Sequence, residues 1–499
     1  MSAVEHAADP AAAVAALVPG GRHLVDGAWV AARDGATAPV VDPSTGREIG
    51  RVPAGEAADV DAAVAAAAAA FPAWRDLHPT RRAAILHRWG TLCGERGEDI
   101  ARLEALEVGQ PYAGPSSVGG RLTYVAGQAD KIVGASLPTA TPDTLAFTVR
   151  EPFGVCGCIV PWNAPTSLMV AVVGPALAAG NTIVAKPSTD APLACLLLGA
   201  LALEAGVPPG VLNLVTGSGA GAGAALARHP GVAHMSFTGS SATGTSVMEA
   251  CAKNLIPLHL ELGGKSPQVI FDDADLDLAI PAIVRGIVLN SGQTCAAGTR
   301  VVVQRRRRAE VVERLAAGLA ATRLGAWHEQ ADMGPLVSAA QQRQVLAHID
   351  AAREDGAAIV TGGGVPADPR LAGGFYVEPT LVDAATPAMR IAQEEVFGPV
   401  LAVLEFDDLD EAVAIANGTV YGLAATAWTA DVGRAVKMAR RLQAGQVHVN
   451  AGRPGGAIGA PFGGYKQSGF GRTMGIDTVA EFTQIKTIVL GGHERAAAA

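Results

Sequence analysis

The sequence predicts an α/β protein in which mainly parallel sheets are covered by helices. The first observation is an alternation of strand-like and helical runs after Glu151, which is typical of an open α/β domain. The second is that the alternation resumes near Ser266 and continues to about residue 465, which indicates a second α/β unit. The third is the length of 499 residues, which is sufficient for two or three domains with buried cores.

The elements of the first part of the chain follow in order. Residues 1–20 are rich in Ala with scattered Pro and Gly, which predicts a flexible N-terminal arm. Apolar spacing predicts helices over 60–71 and 81–106. Three pairs of strand and helix come next. The strands are predicted over 154–160, 182–185 and 211–215, and the helices over 168–179, 191–205 and 221–228.

The second alternating region contains strand patterns over 266–271, 301–303 and 401–406. Four arginines, Arg305–Arg308, directly follow one of these strands. The net charge of −9 opposes attraction to phosphate, so no nucleic-acid partner is expected. We therefore interpret the arginine run as a solvated strand end.

The six cysteines are scattered, without the paired spacing of a zinc site or of a disulfide framework. This pattern indicates a reducing compartment and predicts no bound metal. The N-terminus lacks the basic start and apolar core of a signal peptide, and no apolar run reaches the roughly 20 residues of a membrane span. The expected location is the cytoplasm, without a membrane partner.

Cys295 is the strongest candidate for a reactive group. It ends Asn290-Ser-Gly-Gln-Thr-Cys295, in which small and polar residues precede the thiol. A lone thiol is either a nucleophile or an inert buried residue. Glu261 lies earlier, in Glu-Leu-Gly-Gly-Lys-Ser-Pro, where two glycines would allow the backbone to approach a ligand. The pair indicates covalent catalysis with a separate base.

Two segments are candidates for binding cofactor phosphates. Gly217–Gly223 follows a strand and opens a helix, but the acidic residue of a dinucleotide fingerprint is absent near Phe237. We interpret this segment as a tight strand-to-helix turn. Phe237-Thr-Gly-Ser240 is the better candidate, because Ser240 would cap a helix whose free N–H groups attract a pyrophosphate. A plain helix cap is the alternative.

Seven motifs in one order together resemble the aldehyde dehydrogenase superfamily over nearly the whole chain. They are Pro161-Trp-Asn163, Lys186-Pro-Ser188, Phe237-Thr-Gly-Ser240, Glu261-Leu-Gly-Gly-Lys265, Gly292-Gln-Thr-Cys295, Glu394-Glu-Val-Phe-Gly-Pro399 and Pro461-Phe-Gly-Gly-Tyr-Lys466. The resemblance implies a Rossmann-like cofactor domain, an α/β catalytic domain and a small β oligomerisation arm.

The resemblance also implies boundaries for these parts. The NAD(P)-binding domain would comprise 21–132 and 151–262, and the catalytic domain 263–465. The arm would comprise 133–150 and 478–490 and would pair between subunits of a homodimer or homotetramer. Two ordinary edge strands are the alternative for the arm.

In the family that the chain resembles, the cofactor is NAD or NADP and the substrate is a small-molecule aldehyde. Cys295 would be the nucleophile, Glu261 would activate the hydrolytic water, and Asn163 would bind the oxyanion together with the Cys295 N–H. The implied cofactor residues are Trp162 and Ser240 at the phosphates, Lys186 at the adenosine ribose, Glu395 and Phe397 at the nicotinamide end, and Ser188, Thr189 and Gly239 in the same site.

Three positions depart from common family patterns. Thr189 follows Lys186-Pro-Ser where a Glu usually repels the 2′-phosphate of NADP, so NADP should be tolerated and even preferred. Val172 and Thr473 replace a Lys and a Glu thought to carry the base's proton. Glu261 itself is present, which favours hydrolysis to the free acid over transfer to coenzyme A.

The substrate tunnel is expected to be wide and apolar. Ala164 and Ala171 occupy positions that are often aromatic in relatives with short aldehydes, and Gly456 lies near another such position. Phe462 would line the same tunnel. These residues predict a bulky hydrophobic aldehyde, aromatic or terpenoid. The alternative is that side chains such as Met169 or Phe462 fill the space.

Two other functions remain open at this point. A cysteine-dependent esterase or hydrolase would need a histidine partner for Cys295, and none of the 11 histidines lies in a recognisable constellation, although His259 is two residues before Glu261. A non-catalytic structural member of the family would have no need of Cys295, Glu261, Asn163 and Lys186 together.

Overall fold

Two large sheets organise the protein, as seen in a computed structural model that describes residues 10–140, 142–451 and 459–491. The strands are β1 (His23–Val25), β2 (Ala28–Val30), β3 (Thr37–Asp42), β4 (Arg47–Pro53), β5 (Ser136–Leu137), β6 (Thr144–Pro152), β7 (Val155–Ile159), β8 (Thr182–Lys186), β9 (Leu212–Leu214), β10 (His234–Thr238), β11 (Leu258–Glu261), β12 (Pro267–Ile270), β13 (Arg300–Gln304), β14 (Ala358–Thr361), β15 (Thr380–Asp383), β16 (Val400–Phe406), β17 (Tyr421–Gly422), β18 (Ala424–Trp428), β19 (Gln446–Val449), β20 (Tyr465–Lys466), β21 (Gly469–Phe470) and β22 (Thr483–Gly491).

The α-helices cover both large sheets. They are α1 (Pro10–Leu17), α2 (Ala57–Asp76), α3 (Pro79–Glu95), α4 (Gly97–Val108), α5 (Val118–Ala126), α6 (Pro165–Ala179), α7 (Leu193–Glu204), α8 (Ala224–Arg228), α9 (Ser241–Ala252), α10 (Leu276–Val288), α11 (Arg308–Ala320), α12 (Ala339–Glu354), α13 (Arg390–Gln393), α14 (Leu409–Asn417) and α15 (Val432–Arg441).

The first sheet has eight strands in the order β2-β1-β9-β8-β7-β10-β11-β21. Its five central strands are parallel, and β1 and β21 join their edges antiparallel. The chain enters the centre at β7, then builds outward through β8 and β9 on one side and β10 and β11 on the other. Strand order therefore reverses at β7, and open α/β sheets bind ligands at such a point, beyond the carboxyl ends of the strands.

The second sheet has seven strands in the order β14-β15-β16-β13-β12-β18-β19, parallel except for the β14 edge. Val301 and Val303 of β13 are fully buried beneath α10 and α11. Strands buried on both faces read as continuous apolar runs, which explains why the sequence pattern located them. The fold is thus α/β, as predicted.

A separate sheet of three strands, β22-β6-β5, joins segments that lie far apart in the sequence. β6 and β22 pair antiparallel over their full lengths, from Pro152 opposite Thr483 to Thr144 opposite Gly491. Leu145, Ile485 and Val489 are exposed on it. The two predicted arm segments therefore form one sheet, whereas pairing between subunits and the domain boundaries stay predictions.

Two local expectations differ from the structure. The predicted flexible arm over 1–20 is wrong for residues 10–20, because α1 packs on the β3–β4 hairpin through Val14 and Val18, which are almost completely buried. Residues 1–9 lie outside the described part. The predicted helix over 81–106 is two helices, because the chain breaks at Arg96 with φ −100° and ψ 18°.

The glycine run Gly217–Gly223 forms the connection between β9 and α8, as the turn interpretation predicted. Ser218 caps it by accepting a hydrogen bond from the Gly221 N–H at 2.8 Å. The arginine run follows β13, and Arg305 pairs with Asp407 and Glu405 at the surface. None of the helices in the described ranges is long and apolar enough to cross a membrane.

Candidate active site

Cys295 lies in a loop after α10 whose backbone is held in a left-handed conformation. Asn290, Ser291 and Gly292 have φ values of 48°, 55° and 71°. The Ser291 hydroxyl bonds the backbone carbonyl of Gly334 at 2.8 Å, which anchors the turn. A Cβ at Gly292 would lie 2.1 Å from the carbonyl oxygen of Gly398, so this position requires glycine. Such strain persists only where the surroundings hold it in place, and it is common at active sites.

Asn163 is tied to this loop in two directions. Its side-chain amide donates to the carbonyl oxygen of Gln293 at 2.9 Å, and its own carbonyl oxygen accepts from the Asn290 amide at 2.7 Å. The Gln293 side chain in turn accepts from the Val337 N–H at 2.9 Å. Asn163 has two side-chain N–H groups, so one is left to face a reacting oxygen.

The environment of Cys295 disfavours ionisation of its thiol. Burial, together with the carboxylates of Glu395 and Glu261, raises the pKa of Cys295 to about 12, although the backbone N–H groups of Ala296 and Cys295 oppose the shift. The thiol is therefore protonated at neutral pH.

Glu261 ends β11 with a side chain that is only 4% exposed. Its Oε1 atom lies 3.2 Å from Nε2 of His259, and its Oε2 atom is buried without a hydrogen-bond partner. Burial raises the pKa of Glu261, while His259, Arg472 and the Thr473 N–H counteract the rise. A carboxylate with a raised pKa and one free oxygen has the properties of a general base.

The two glycines after Glu261 allow a close approach to both reactive loops. A Cβ at Gly263 would lie 2.1 Å from Oε2 of Glu395, and a Cβ at Gly264 would lie 2.4 Å from the Cys295 carbonyl oxygen. The Gly264 N–H donates to Oε1 of Glu395 at 3.0 Å. Burial raises the pKa of Glu395 to about 7. The two glycines thus allow Glu395 and the Cys295 loop to pack closely, whereas their approach to a bound ligand stays a prediction.

Three of the predicted cofactor residues come from the carboxyl ends of adjacent central strands. Trp162 follows β7, Lys186 ends β8, and Ser240 follows β10 and caps α9 by accepting from the Thr243 N–H at 3.3 Å. Lys186 is buried, which lowers its pKa to about 8. These positions flank the point where strand order reverses, so they fit a dinucleotide.

The remaining predicted cofactor residues are placed around this edge. Phe397, which has a φ of 54°, packs edge-on against Trp162 with ring centroids 5.3 Å apart. Ser188 and Thr189 follow Lys186 and are partly exposed, and Gly239 directly precedes Ser240. The Trp162 and Phe397 contact joins the first sheet to the loop before β16, and so brings the cofactor residues beside Glu395.

The predicted tunnel residues are only partly brought together. Phe462 belongs to a small apolar cluster with Cys295 and Leu423. Ala171 lines a small pocket of about 20 Å³ beside Met474, and Ala164 is the N-cap position of α6. Gly456 lies outside the described residues. The full lining of the pocket is Arg121, Tyr124, Val125, Val170, Ala171, Pro175, Met474 and Thr478.

A comparison with known proteins places this geometry in one family. The family model for the aldehyde dehydrogenase family matches residues 29–488. The chain belongs to the aldehyde dehydrogenase family. It is 42% identical over 479 residues to betaine aldehyde dehydrogenase of Cereibacter sphaeroides, covering 95% of this chain and 98% of the relative.

Two further similarities extend over the same length. The dehydrogenase is 42% identical over 471 residues to hydroxyisobutyraldehyde dehydrogenase of Mycolicibacterium austroafricanum, covering 93% of this chain and 92% of the relative. An NAD⁺ complex of aldehyde dehydrogenase from Bacillus cereus matches it with a TM-score of 0.92 and 39% identity, covering 96% of this chain and 98% of that structure.

Several residues of the dehydrogenase site were not predicted from the sequence. Asn290 and Gln293 connect Asn163 to the thiol loop, and His259 bonds Glu261. Asn290 and Gln293 both fall inside the quoted Cys295 motif, so polar residues in a strained turn were an available signal. His259 could have been inferred from its place two residues before Glu261 on a strand, where side chains share one face.

Proposed function

We propose that this dehydrogenase oxidises an aldehyde to the carboxylic acid through a thiohemiacetal and a thioester on Cys295, with NAD or NADP. The observation that carries the proposal is the close packing of the Cys295 loop and Glu395 against the two glycines that follow Glu261, whose Oε2 atom has no hydrogen-bond partner. A nucleophile and a separate base are what a two-stage acyl transfer requires.

The thiol step begins with loss of the Cys295 proton. The raised pKa means that a nearby base has to accept this proton, and Glu261 and Glu395 are the carboxylates that face the thiol. Attack of the sulfur on the aldehyde carbon gives a tetrahedral oxyanion. The second N–H of the Asn163 amide and the Cys295 N–H would stabilise that charge, and the loss of one such donor costs ~100-fold or more in rate.

The bound nicotinamide supplies the acceptor for the hydride that leaves the thiohemiacetal. Lys186, Trp162 and Ser240 would bind the adenosine and phosphate groups, and Glu395 and Phe397 would position the nicotinamide end. The NAD⁺ complex of the Bacillus cereus relative supports NAD as a cofactor. Because Thr189 lacks the negative charge of a Glu, we also expect NADP to bind.

Glu261 would complete the reaction by activating water against the thioester. Its free Oε2 atom can accept a proton from water while Oε1 stays bound to His259. Sulfur then leaves as the acid forms, and the thiol is regenerated. A base of this kind contributes typically 10²–10⁴-fold in rate, about 3–5 kcal/mol.

Two substrate classes compete. The small side chains at Ala164 and Ala171 and the mostly apolar pocket beside Ala171 favour a bulky hydrophobic aldehyde, aromatic or terpenoid. The names of the two relatives instead favour a small polar aldehyde. Arg121 in the pocket wall adds a polar feature that the apolar interpretation did not include.

The alternatives have less support. A cysteine hydrolase would need a histidine beside the thiol, whereas His259 bonds Glu261 and Ser236. A non-catalytic role would leave the buried carboxylates unexplained. A panel of aliphatic, aromatic, terpenoid and small polar aldehydes, assayed for reduction of each nicotinamide, tests the proposal. Reduction with none of them would contradict it.

The oligomer also belongs to the proposal. β22 presents the exposed apolar side chains of Ile485 and Val489 on one face of the sheet. A sheet with an exposed edge and apolar face can extend by pairing with a second chain. We therefore propose that this sheet is the contact surface of a homodimer or homotetramer in the cytoplasm.

A further inference from the structure

A buried chain of polar side chains leads from the first sheet to the free carboxylate oxygen. The Ser236 hydroxyl lies 3.1 Å from Nδ1 of His259, and Nε2 of His259 lies 3.2 Å from Oε1 of Glu261. Parallel pairing of β10 and β11 places Ser236 directly beside His259. His259 and Glu261 are two residues apart on β11, so their side chains lie on the same face.

The surroundings fix the His259 ring in this position. His259 is 2% exposed, and the backbone after β21 approaches so closely that a Cβ at Gly471 would lie 2.2 Å from its Cδ2 atom. Gly471 has a φ of 85°, so glycine is favoured there for conformational reasons as well. The ring has little freedom to rotate, and its two nitrogens stay aimed at Ser236 and Glu261.

Several charged and titratable groups surround the hydrogen-bonded series Ser236, His259 and Glu261. Cys295 and Arg472 face Glu261, in addition to His259. His234, on the adjacent strand β10, faces His259, and burial lowers the pKa of His234 to about 4, which keeps it neutral near neutral pH. His259 is thus the group whose hydrogen bond contacts the Glu261 side chain directly.

Hydrogen-bond roles follow from the chemistry of a carboxylate. An ionised Glu261 can only accept, so Nε2–H of His259 donates to Oε1, and Nδ1 accepts from the Ser236 hydroxyl. The arrangement holds Oε1 and leaves Oε2 without a partner. A donor to the charged form also favours that form.

We propose that His259 is a positioning residue for Glu261, holding one carboxylate oxygen so that the other faces the thioester, and stabilising the ionised form that accepts a proton from water. The inference rests on the proposed role of Glu261. Among the described residues, His259 is the side chain recorded as hydrogen-bonded to this carboxylate.

The experiment compares His259→Leu with His259→Gln, because a Gln amide can still donate to Glu261. Reduced cofactor in the first turnover and acid in the steady state are measured from pH 5.5 to 9. In His259→Leu the burst should stay near the parent value, while steady-state acid formation falls about tenfold at the acidic end and recovers at high pH. His259→Gln should lie within about threefold of the parent.

The sign of the pH effect follows from the lost hydrogen bond. Without the donor, the pKa of Glu261 rises, so a higher pH is needed to ionise the base. Ser236→Ala should shift the acidic limb in the same direction by a smaller amount. If His259→Leu does not fold, Ser236→Ala and His259→Gln keep the proposal testable.

Three results would overturn the proposal. The first is a His259→Leu profile identical to the parent. The second is a pH-independent loss shared by the Leu and Gln variants, which a merely structural role would give. The third is an unchanged profile in Ser236→Ala when the leucine variant is unfolded. Glu261→Gln, run in parallel, separates the two proposals. Full hydrolysis in that variant overturns the role of Glu261 and that of His259 with it, whereas slow hydrolysis there with an unchanged His259→Leu profile overturns the role of His259 alone.

Discussion

At the scale of single residues, the thiol and both carboxylates of the site have raised pKa values, so ionisation of each is disfavoured. Burial is the largest cause of the raised pKa of Cys295, Glu261 and Glu395. In such a site each proton transfer changes the charge felt by the other groups, so titrations belong to the set. Burial thus works against the charged form of each of these groups.

The cofactor preference can be tested at Thr189. Thr189→Glu should weaken NADP binding by at least about tenfold more than NAD binding, because a carboxylate would face the 2′-phosphate at short range. Dissociation constants for both nicotinamides measured by fluorescence titration check this. Thr189→Gln is the matched control, since it has the same size without the charge. Equal weakening of both cofactors by Glu would show that position 189 lies away from the 2′-position.

The residues that the sequence located are those whose chemistry is visible in their type. Cys295 and Glu261 were predicted as a pair, and the structure brings their charges together. His259 and Gln293 were not assigned roles, because their contacts arise from strand pairing and from a strained turn. The contacts of His259 with Ser236 and of Gln293 with Asn163 join residues 23 and 130 positions apart, which spacing alone cannot indicate.

At the scale of elements, the loop that carries Cys295 depends on backbone conformation. Gly292 has a positive φ, and a neighbouring backbone carbonyl group lies where a Cβ at this position would be. Hydrogen bonds from Asn290 to Asn163 and from Asn163 to Gln293 tie this loop to the segment after β7. We therefore expect small changes in the loop to affect activity strongly.

Gly292→Ala should reduce activity by more than about 100-fold and lower stability by over about 2 kcal/mol, because it adds a backbone clash to the left-handed strain. Urea unfolding and steady-state assays measure the two effects. Gly356→Ala is the matched control, since Gly356 also has a positive φ, of 89°, but open space where its Cβ would be. The control should lose only about 1 kcal/mol and keep its activity. Equal losses in both variants would argue against the clash.

Helix α6 offers a test of the tunnel through Ala171. Ala171→Trp should fill the pocket and reduce kcat/KM for aromatic or terpenoid aldehydes by about tenfold or more, while short aldehydes are spared. Ala171→Val provides a graded control with a smaller effect. The ratio of kcat/KM values for long and short aldehydes is the measurement. A uniform effect on all aldehydes would contradict the wide apolar tunnel and favour small polar substrates.

At the scale of the whole molecule, the sequence predicted the class of fold better than the bounds of some elements and the pairing of distant segments. Buried parallel strands such as β8 and β13 are continuous apolar runs and were found within one or two residues. The helix α1 was missed because its Ala-rich sequence has little polar contrast, and its burial depends on the β3–β4 hairpin. The sheet formed by β6 and β22 also required knowledge of distant pairing.

The sheet formed by β22, β6 and β5 leads to a prediction about the oligomeric state. Sedimentation equilibrium should show a mass of two or four chains. Ile485→Lys combined with Val489→Lys should lower that mass, because both exposed side chains lie on one face of β22. Gln484→Lys, at an exposed position on the other face, should leave the mass unchanged. A monomer at all concentrations would contradict the proposed contact.

The central claim is that Cys295 carries an acyl group that Glu261 helps to hydrolyse. The direct measurement is the intact mass of Glu261→Gln after mixing with an aldehyde and NAD, together with the time course of cofactor reduction. We expect about one equivalent of reduced cofactor in a burst, followed by a slow steady state. We also expect an added acyl mass on Cys295 that is absent in Cys295→Ala. A steady-state rate equal to the parent with no acyl mass, or acyl transfer to another residue, would contradict it.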